Sequence, residues 1–176
     1  MGEDARASAL VTTAWLADQL PRPDVLAVDA TWYLPNAGRI GRTDYDTRHI
    51  PGAVFWDIDT IADPTTSLPH MIPDGTTFER HMAALGIGDR THIVVYDGAG
   101  MMTAPRVWWT LRYFGHDAVS VLDGGLNKWL AEGRPVNDKP PAPPRAGMRF
   151  TARPRPELVR PLEAVRANIG SEAEQV

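Results

Sequence analysis

Residues Ile93 to Trp129, IVVYDGAGMMTAPRVWWTLRYFGHDAVSVLDGGLNKW, constrain this chain more than any other stretch. They read as an apolar strand, a short glycine loop, a helix opened by Pro105, a second apolar strand, a Gly-Gly turn and a second helix. Strand-helix alternation with uninterrupted apolar runs predicts a parallel sheet covered on both faces. The loop Gly98 to Thr103 then falls at the carboxyl end of a strand and faces the next helix N-terminus. Backbone N–H groups gather there and favour an anion. Yet the residue at the head of the loop is Asp97, itself an anion.

Further along the same pattern, Thr12 or Thr13 is placed to cap a helix ending near Pro21, and Val25 to Val28 is a buried strand. Residues 31–48 read as a long surface loop, rich in turn formers and charge. Ala53 to Trp56 is a strand candidate. A proline-punctuated loop, 57–75, precedes a helix capped by Thr76 or Thr77 and stopped by Gly86. Prolines then crowd between Gly133 and Pro156, which predicts a stiff extended linker. Beyond it, Leu158, Leu162, Val165 and Ile169 recur at helical spacing, an apolar face that one helix cannot bury alone.

Composition removes several function classes. A net charge of −4 argues against nucleic acid as a partner. No run is long enough to span a bilayer, and the acidic first residues do not resemble a secretory signal, so a cytoplasmic location is the default expectation. The chain has no cysteine, which excludes thiol catalysis and thiolate metal sites within it. The histidines show no ligand spacing, so neither a metal nor a cofactor is expected.

Several motifs in order carry a resemblance. Tyr45 followed by His49-Ile50-Pro51-Gly52-Ala53 resembles the first rhodanese signature. Leu122-Asp123-Gly124-Gly125 with Trp129 resembles the segment that closes a rhodanese domain. Asp29 to Pro35 and Ala104 to Trp109 are similar to the N-terminal domain of the tandem-domain sulfurtransferases, which use 3-mercaptopyruvate or thiosulfate. The resemblance implies a rhodanese-like three-layer α/β/α domain with a central parallel sheet. It divides the chain into a flexible N-terminus (1–8), the N-terminal domain (9–136), an interdomain linker (137–156) and the first helix of a truncated second domain (157–176).

In that family the persulfide-forming cysteine belongs to the second domain, so Asp97 takes the corresponding place in a degenerate loop. A carboxylate cannot carry a sulfane sulfur, and in a partly buried site it would repel an anionic donor by something on the order of several kcal/mol. The resemblance further implies that Asp59 and His70 relay a proton towards the second domain, with Trp32, Met101 and Met102 lining the cleft. Trp56 and Met102 depart from the residues usual at their positions, which bears on substrate rather than fold. His49, by contrast, is expected to orient a turn through a hydrogen bond.

The implied partners are a missing C-terminal rhodanese domain, a small-molecule sulfur donor and a thiol or cyanide acceptor. The chain alone is expected to be inactive. It is also expected to self-associate through apolar surface near Trp32, Met101 and Met102 that a partner domain would cover. Two competing readings are a thiosulfate-specific enzyme and a stand-alone non-catalytic module binding a partner or an anion.

Overall fold

Alternation of side chains across the strands sorts this protein into two cores. The structure, a computed structural model, describes residues 8–139, 147–169 and 171. Its strands are β1 (Leu10–Val11), β2 (Val25–Asp29), β3 (Val54–Phe55), β4 (His92–Tyr96) and β5 (Val119–Leu122). All pair in parallel, in the order β1-β5-β4-β2-β3. In β4, Ile93 and Val95 point into one core while Val94 and Tyr96 point into the other. Burial on both faces is why these strands are continuous apolar runs.

Helices α1 (Thr13–Gln19), α2 (Gly41–Thr47) and α5 (Gly125–Ala131) cover one face, through Leu16, Tyr45 and Trp129. Helices α3 (Gly75–Ala84) and α4 (Ala104–Tyr113) cover the other, through Phe78, Met82, Val107 and Leu111. A sixth helix, α6 (Leu162–Asn168), follows a 3-10 turn at Pro156–Leu158. The arrangement is the three-layer α/β/α domain expected from the sequence.

This topology fixes where a site can form. β2 and β4 are neighbours, with Asp29 opposite Tyr96 at their carboxyl ends. The chain leaves β2 for α2 on one face and leaves β4 for α4 on the other. Connections that diverge from adjacent parallel strands open a crevice between them.

Four local expectations are corrected. Residues 31–48 hold a 3-10 turn at Pro35–Ala37 and helix α2, rather than a continuous loop. Only Gly41 and Tyr45 of α2 are buried, so no apolar periodicity announces it. A Cβ on Gly41 would lie 1.9 Å from the Thr31 carbonyl oxygen, so only glycine lets α2 approach that closely. The α3 cap is Asp74, which accepts the Thr77 N–H at 3.0 Å, rather than Thr76 or Thr77. The C-terminal helix begins at Leu162 rather than 157, because Pro161 stands at its N-cap.

The fourth correction concerns the proline-rich stretch 137–156. It is extended as expected, but both of its described parts are tied to the domain: Asn137 pairs with His49, and 147–156 is strapped across the other core. Phe150 is buried against Phe78, ring centroids 5.4 Å apart. Arg153 N–H donates to Phe114 O at 2.9 Å, and Arg155 N–H to Tyr113 O at 2.8 Å. Arg155 also grips Asp117 with two bonds of 2.7 and 2.6 Å. The expectations for residues 1–7, 140–146, 170 and 172–176 lie outside the described residues.

Candidate active site

Two segments meet at the crevice. After β2, residues Ala30 to Tyr33 run beside the loop that follows β4. The Ala30 N–H donates to Tyr96 O at 2.8 Å, and Thr103 Oγ1 donates to Ala30 O at 2.5 Å. Gly98 N–H donates to Thr31 Oγ1 at 2.8 Å. The loop is therefore laced to the neighbouring strand rather than free.

Asp97 fills the place expected for an anion. One carboxylate oxygen accepts the N–H groups of Ala99 (3.0 Å) and Met101 (2.8 Å). The other accepts those of Thr103 (2.9 Å) and Ala104 (2.8 Å). The side chain is fully enclosed. The expected repulsion of an anionic donor is thus secondary: the cradle is already occupied. On its main-chain side, Asp97 O accepts the Leu126 N–H at 3.0 Å. A Cβ on Gly125 would come within 2.5 Å of that oxygen, and Gly125 has φ +54°. Those two facts explain the second glycine of the Gly124-Gly125 pair.

Beneath the loop, Asp29 is buried and accepts the Thr31 N–H at 2.9 Å. Burial, aided by the charge of Asp97, raises its pKa to about 6 against the opposing hydrogen bonds from Thr31 and Tyr96. A cavity of about 120 Å³ lies there, walled by Asp29, Thr31, Tyr33, Asp44, Gly98 and Asn127.

The second cluster is open. His70 Nε2 lies 2.7 Å from Asp59 Oδ1, and Trp32 Nε1 donates to Asp59 Oδ2 at 3.2 Å. The Trp32 and His70 rings meet edge to face, centroids 5.0 Å apart. The structure therefore brings Trp32, Asp59 and His70 into one contact set, from segments far apart in sequence. Asp59 is 65% exposed and the His70 side chain 25%. Trp32 and Asp59 also wall a cavity of about 310 Å³ with Tyr33, Pro35, Ile40 and Phe55. His70, Met101 and Met102 are not among its lining residues. Met101 packs with Trp32 against the core beside α4, while Met102 stands exposed.

Arg106 also reaches this cluster. Its guanidinium donates to His70 O at 2.7 Å and lies over the Trp109 ring, 4.9 Å from its centroid. Partial burial lowers its pKa from the ordinary value. No sequence signal identifies a side chain bound to a remote carbonyl. His49, by contrast, behaves as the turn residue it was expected to be: Nδ1 lies 2.7 Å from Tyr45 O, with the two rings stacked.

Comparison with known proteins decides the family. The model of the Rhodanese-like domain matches residues 12–132. The chain belongs to the rhodanese family. Human 3-mercaptopyruvate sulfurtransferase is 41% identical to this rhodanese chain over 174 residues, 96% of the chain and 58% of the human protein. Bovine thiosulfate sulfurtransferase is also 41% identical, over 96% of the chain and 58% of its own length. The crystal structure of a 3-mercaptopyruvate sulfotransferase from Escherichia coli superimposes with a TM-score of 0.87 at 35% identity, covering 96% of this chain and 64% of that one. The rhodanese chain thus spans somewhat over half the length of these curated relatives. Among its described residues no helix is long and apolar enough to cross a membrane, and no group of three or more His, Cys, Asp or Glu is placed to hold a metal.

Proposed function

We propose that this rhodanese domain is the N-terminal, non-catalytic half of a sulfurtransferase. The whole enzyme would move sulfur from 3-mercaptopyruvate to a thiol or cyanide through a cysteine persulfide on a second domain. The 58% span of the human relative supports a further domain, and the cysteine-free sequence requires the nucleophile to come from elsewhere. Asp97 supports the same division, because its carboxylate occupies the position a reacting sulfur would need.

The observation that carries the choice of donor is the Asp59–His70 contact. In the sulfur-transfer step a cysteine thiolate attacks the sulfur of 3-mercaptopyruvate. The S–S bond forms, the C–S bond breaks, and the electron pair stays on carbon as the enolate of pyruvate. That enolate must then take up a proton. Imidazole is the side chain that exchanges protons near neutral pH, and a carboxylate on one ring nitrogen orients it. Asp59 holds Nε2 in this way, leaving Nδ1 to exchange a proton with a group of the second domain. Trp32 fixes the other oxygen of Asp59.

Thiosulfate is the second reading, favoured by the equal identity of the bovine relative. Cleaving thiosulfate breaks an S–S bond and releases sulfite, with no carbon to protonate, so it gives the Asp59–His70 pair less to do. The test is an assay of the 176-residue chain for pyruvate and thiocyanate formation, beside the same domain joined to its cysteine-bearing partner. No turnover above background is expected from the chain alone. Turnover by the chain alone would refute the placement of the nucleophile.

A further inference from the structure

The loop that ends β4 and opens α4 presents backbone N–H groups that a helix start leaves without internal partners. A capping side chain, water or a bound anion can satisfy them. Here the anion is part of the chain: four N–H groups converge on the two oxygens of Asp97, at 2.8 to 3.0 Å. Asp97 is 1% exposed, so its carboxylate is held out of water among the groups it binds. We propose that Asp97 is a positioning residue, a tethered anion that keeps the loop in its anion-bound form and, through α4, sets the backbone carrying His70.

Two strained residues mark the route. Among the described residues the non-glycine residues with positive φ are Met101, at +63°, and His70, at +56°. The left-handed region is unfavourable for both, so each persists only where its surroundings hold it there. Met101 is held by its N–H bond to Asp97 Oδ1, and it packs against the same core as Trp32. His70 is held by Arg106, whose guanidinium binds the His70 carbonyl at 2.7 Å. Arg106 stands in the first turn of α4, and the first turn is fixed by the bonds from Thr103 and Ala104 to Asp97 Oδ2. One carboxylate thus anchors both strained positions, directly at Met101 and through three residues of helix at His70. The inference rests on loop geometry and stands whether or not the protein transfers sulfur.

The test uses the 176-residue chain with Asp97→Gly, which removes the anion and leaves room for formate. Nuclear magnetic resonance would follow the amides of Ala99, Met101, Thr103 and Ala104 and the ring and amide of His70. Asp97→Gly is expected to lower Tm by roughly 10 °C, from the several charge-assisted bonds lost. Formate should restore Tm saturably and return both the loop amides and the His70 resonances towards wild type. Chloride at equal ionic strength should not, and formate should leave wild type unchanged. Absence of a formate-specific response would overturn the tethered-anion role. Loop amides that shift while His70 stays at its wild-type position would overturn the positioning role. Should Asp97→Gly fold only in formate and not in chloride, the proposal is supported. Should it fold in neither, the isosteric Asp97→Asn decides. Hydrogen exchange in two of the four amides should then quicken about 100-fold, since one oxygen has become a donor; wild-type protection of all four would overturn the proposal.

Discussion

Asp97 and Asp59 are both carboxylates at the carboxyl end of one sheet, and they are used in opposite ways. Asp97 is enclosed and accepts four backbone N–H groups from its own loop. Asp59 is mostly exposed and shares its oxygens between an indole N–H and the His70 ring. A carboxylate saturated by fixed donors has no capacity left for a substrate and acts as structure. One that orients a partly exposed imidazole leaves that ring within reach of solvent. The contrast separates a carboxylate closed off by its own loop from one left open at the surface.

Substitution should separate the two carboxylates most sharply in stability. Asp97→Ala removes a buried charge acceptor and strands its donors, so a loss of about 4 kcal/mol is expected in urea unfolding, against less than about 0.5 kcal/mol for the exposed Asp59→Asn. Equal losses would erase the distinction.

A third carboxylate, Asp29, sharpens it next. It is enclosed like Asp97 but with fewer donors, and burial raises its pKa from 3.8 to about 6. The folded state keeps this proton up to about pH 6, whereas the unfolded chain loses it near 3.8. The stabilisation is therefore complete below about pH 4 and is lost as pH rises through 6, amounting to about 3 kcal/mol. Subtracting the stability profile of Asp29→Asn from that of wild type should isolate a downward step in this window. A flat difference would contradict the raised pKa of Asp29.

Activity should divide the clusters the other way. In the protein that contains the second domain, Asp59→Asn is expected to lower turnover of 3-mercaptopyruvate about 30-fold with Tm nearly unchanged, the mark of lost acid-base assistance rather than lost fold. A smaller effect is expected of Arg106→Ala, about 10-fold, because it releases the His70 backbone without removing the ring. Restoration by Arg106→Lys would show that charge rather than the planar fork is what matters there.

How much of this was legible in the sequence follows the same division. β2, β4 and β5 were readable because burial on both faces makes an uninterrupted apolar run. β1 was not, since two residues carry no pattern and Leu10–Val11 is a strand only because β5 lies beside it. Helix α2 was missed because its stability comes from Gly41 touching Thr31, Tyr45 in the core and the exposed Arg42–Asp46 pair, none of which is periodic. Phe150 was hidden among prolines, yet its ring, with the backbone bonds of Arg153 and Arg155, straps that segment down. At the site, Asp59, His70 and Trp32 were reached by resemblance, and the fold places them in contact. The cradle around Asp97 and the grip of Arg106 on a carbonyl depend on where backbone groups point, which residue identities do not record.

The most direct test of the sulfur-transfer account is the turnover of His70→Ala, in the protein that carries the cysteine domain, with 3-mercaptopyruvate and with thiosulfate side by side. The account predicts a loss of about 100-fold with 3-mercaptopyruvate, whose carbon must be protonated, and little change with thiosulfate. Unchanged turnover of 3-mercaptopyruvate, or an equal loss with both donors, would contradict it.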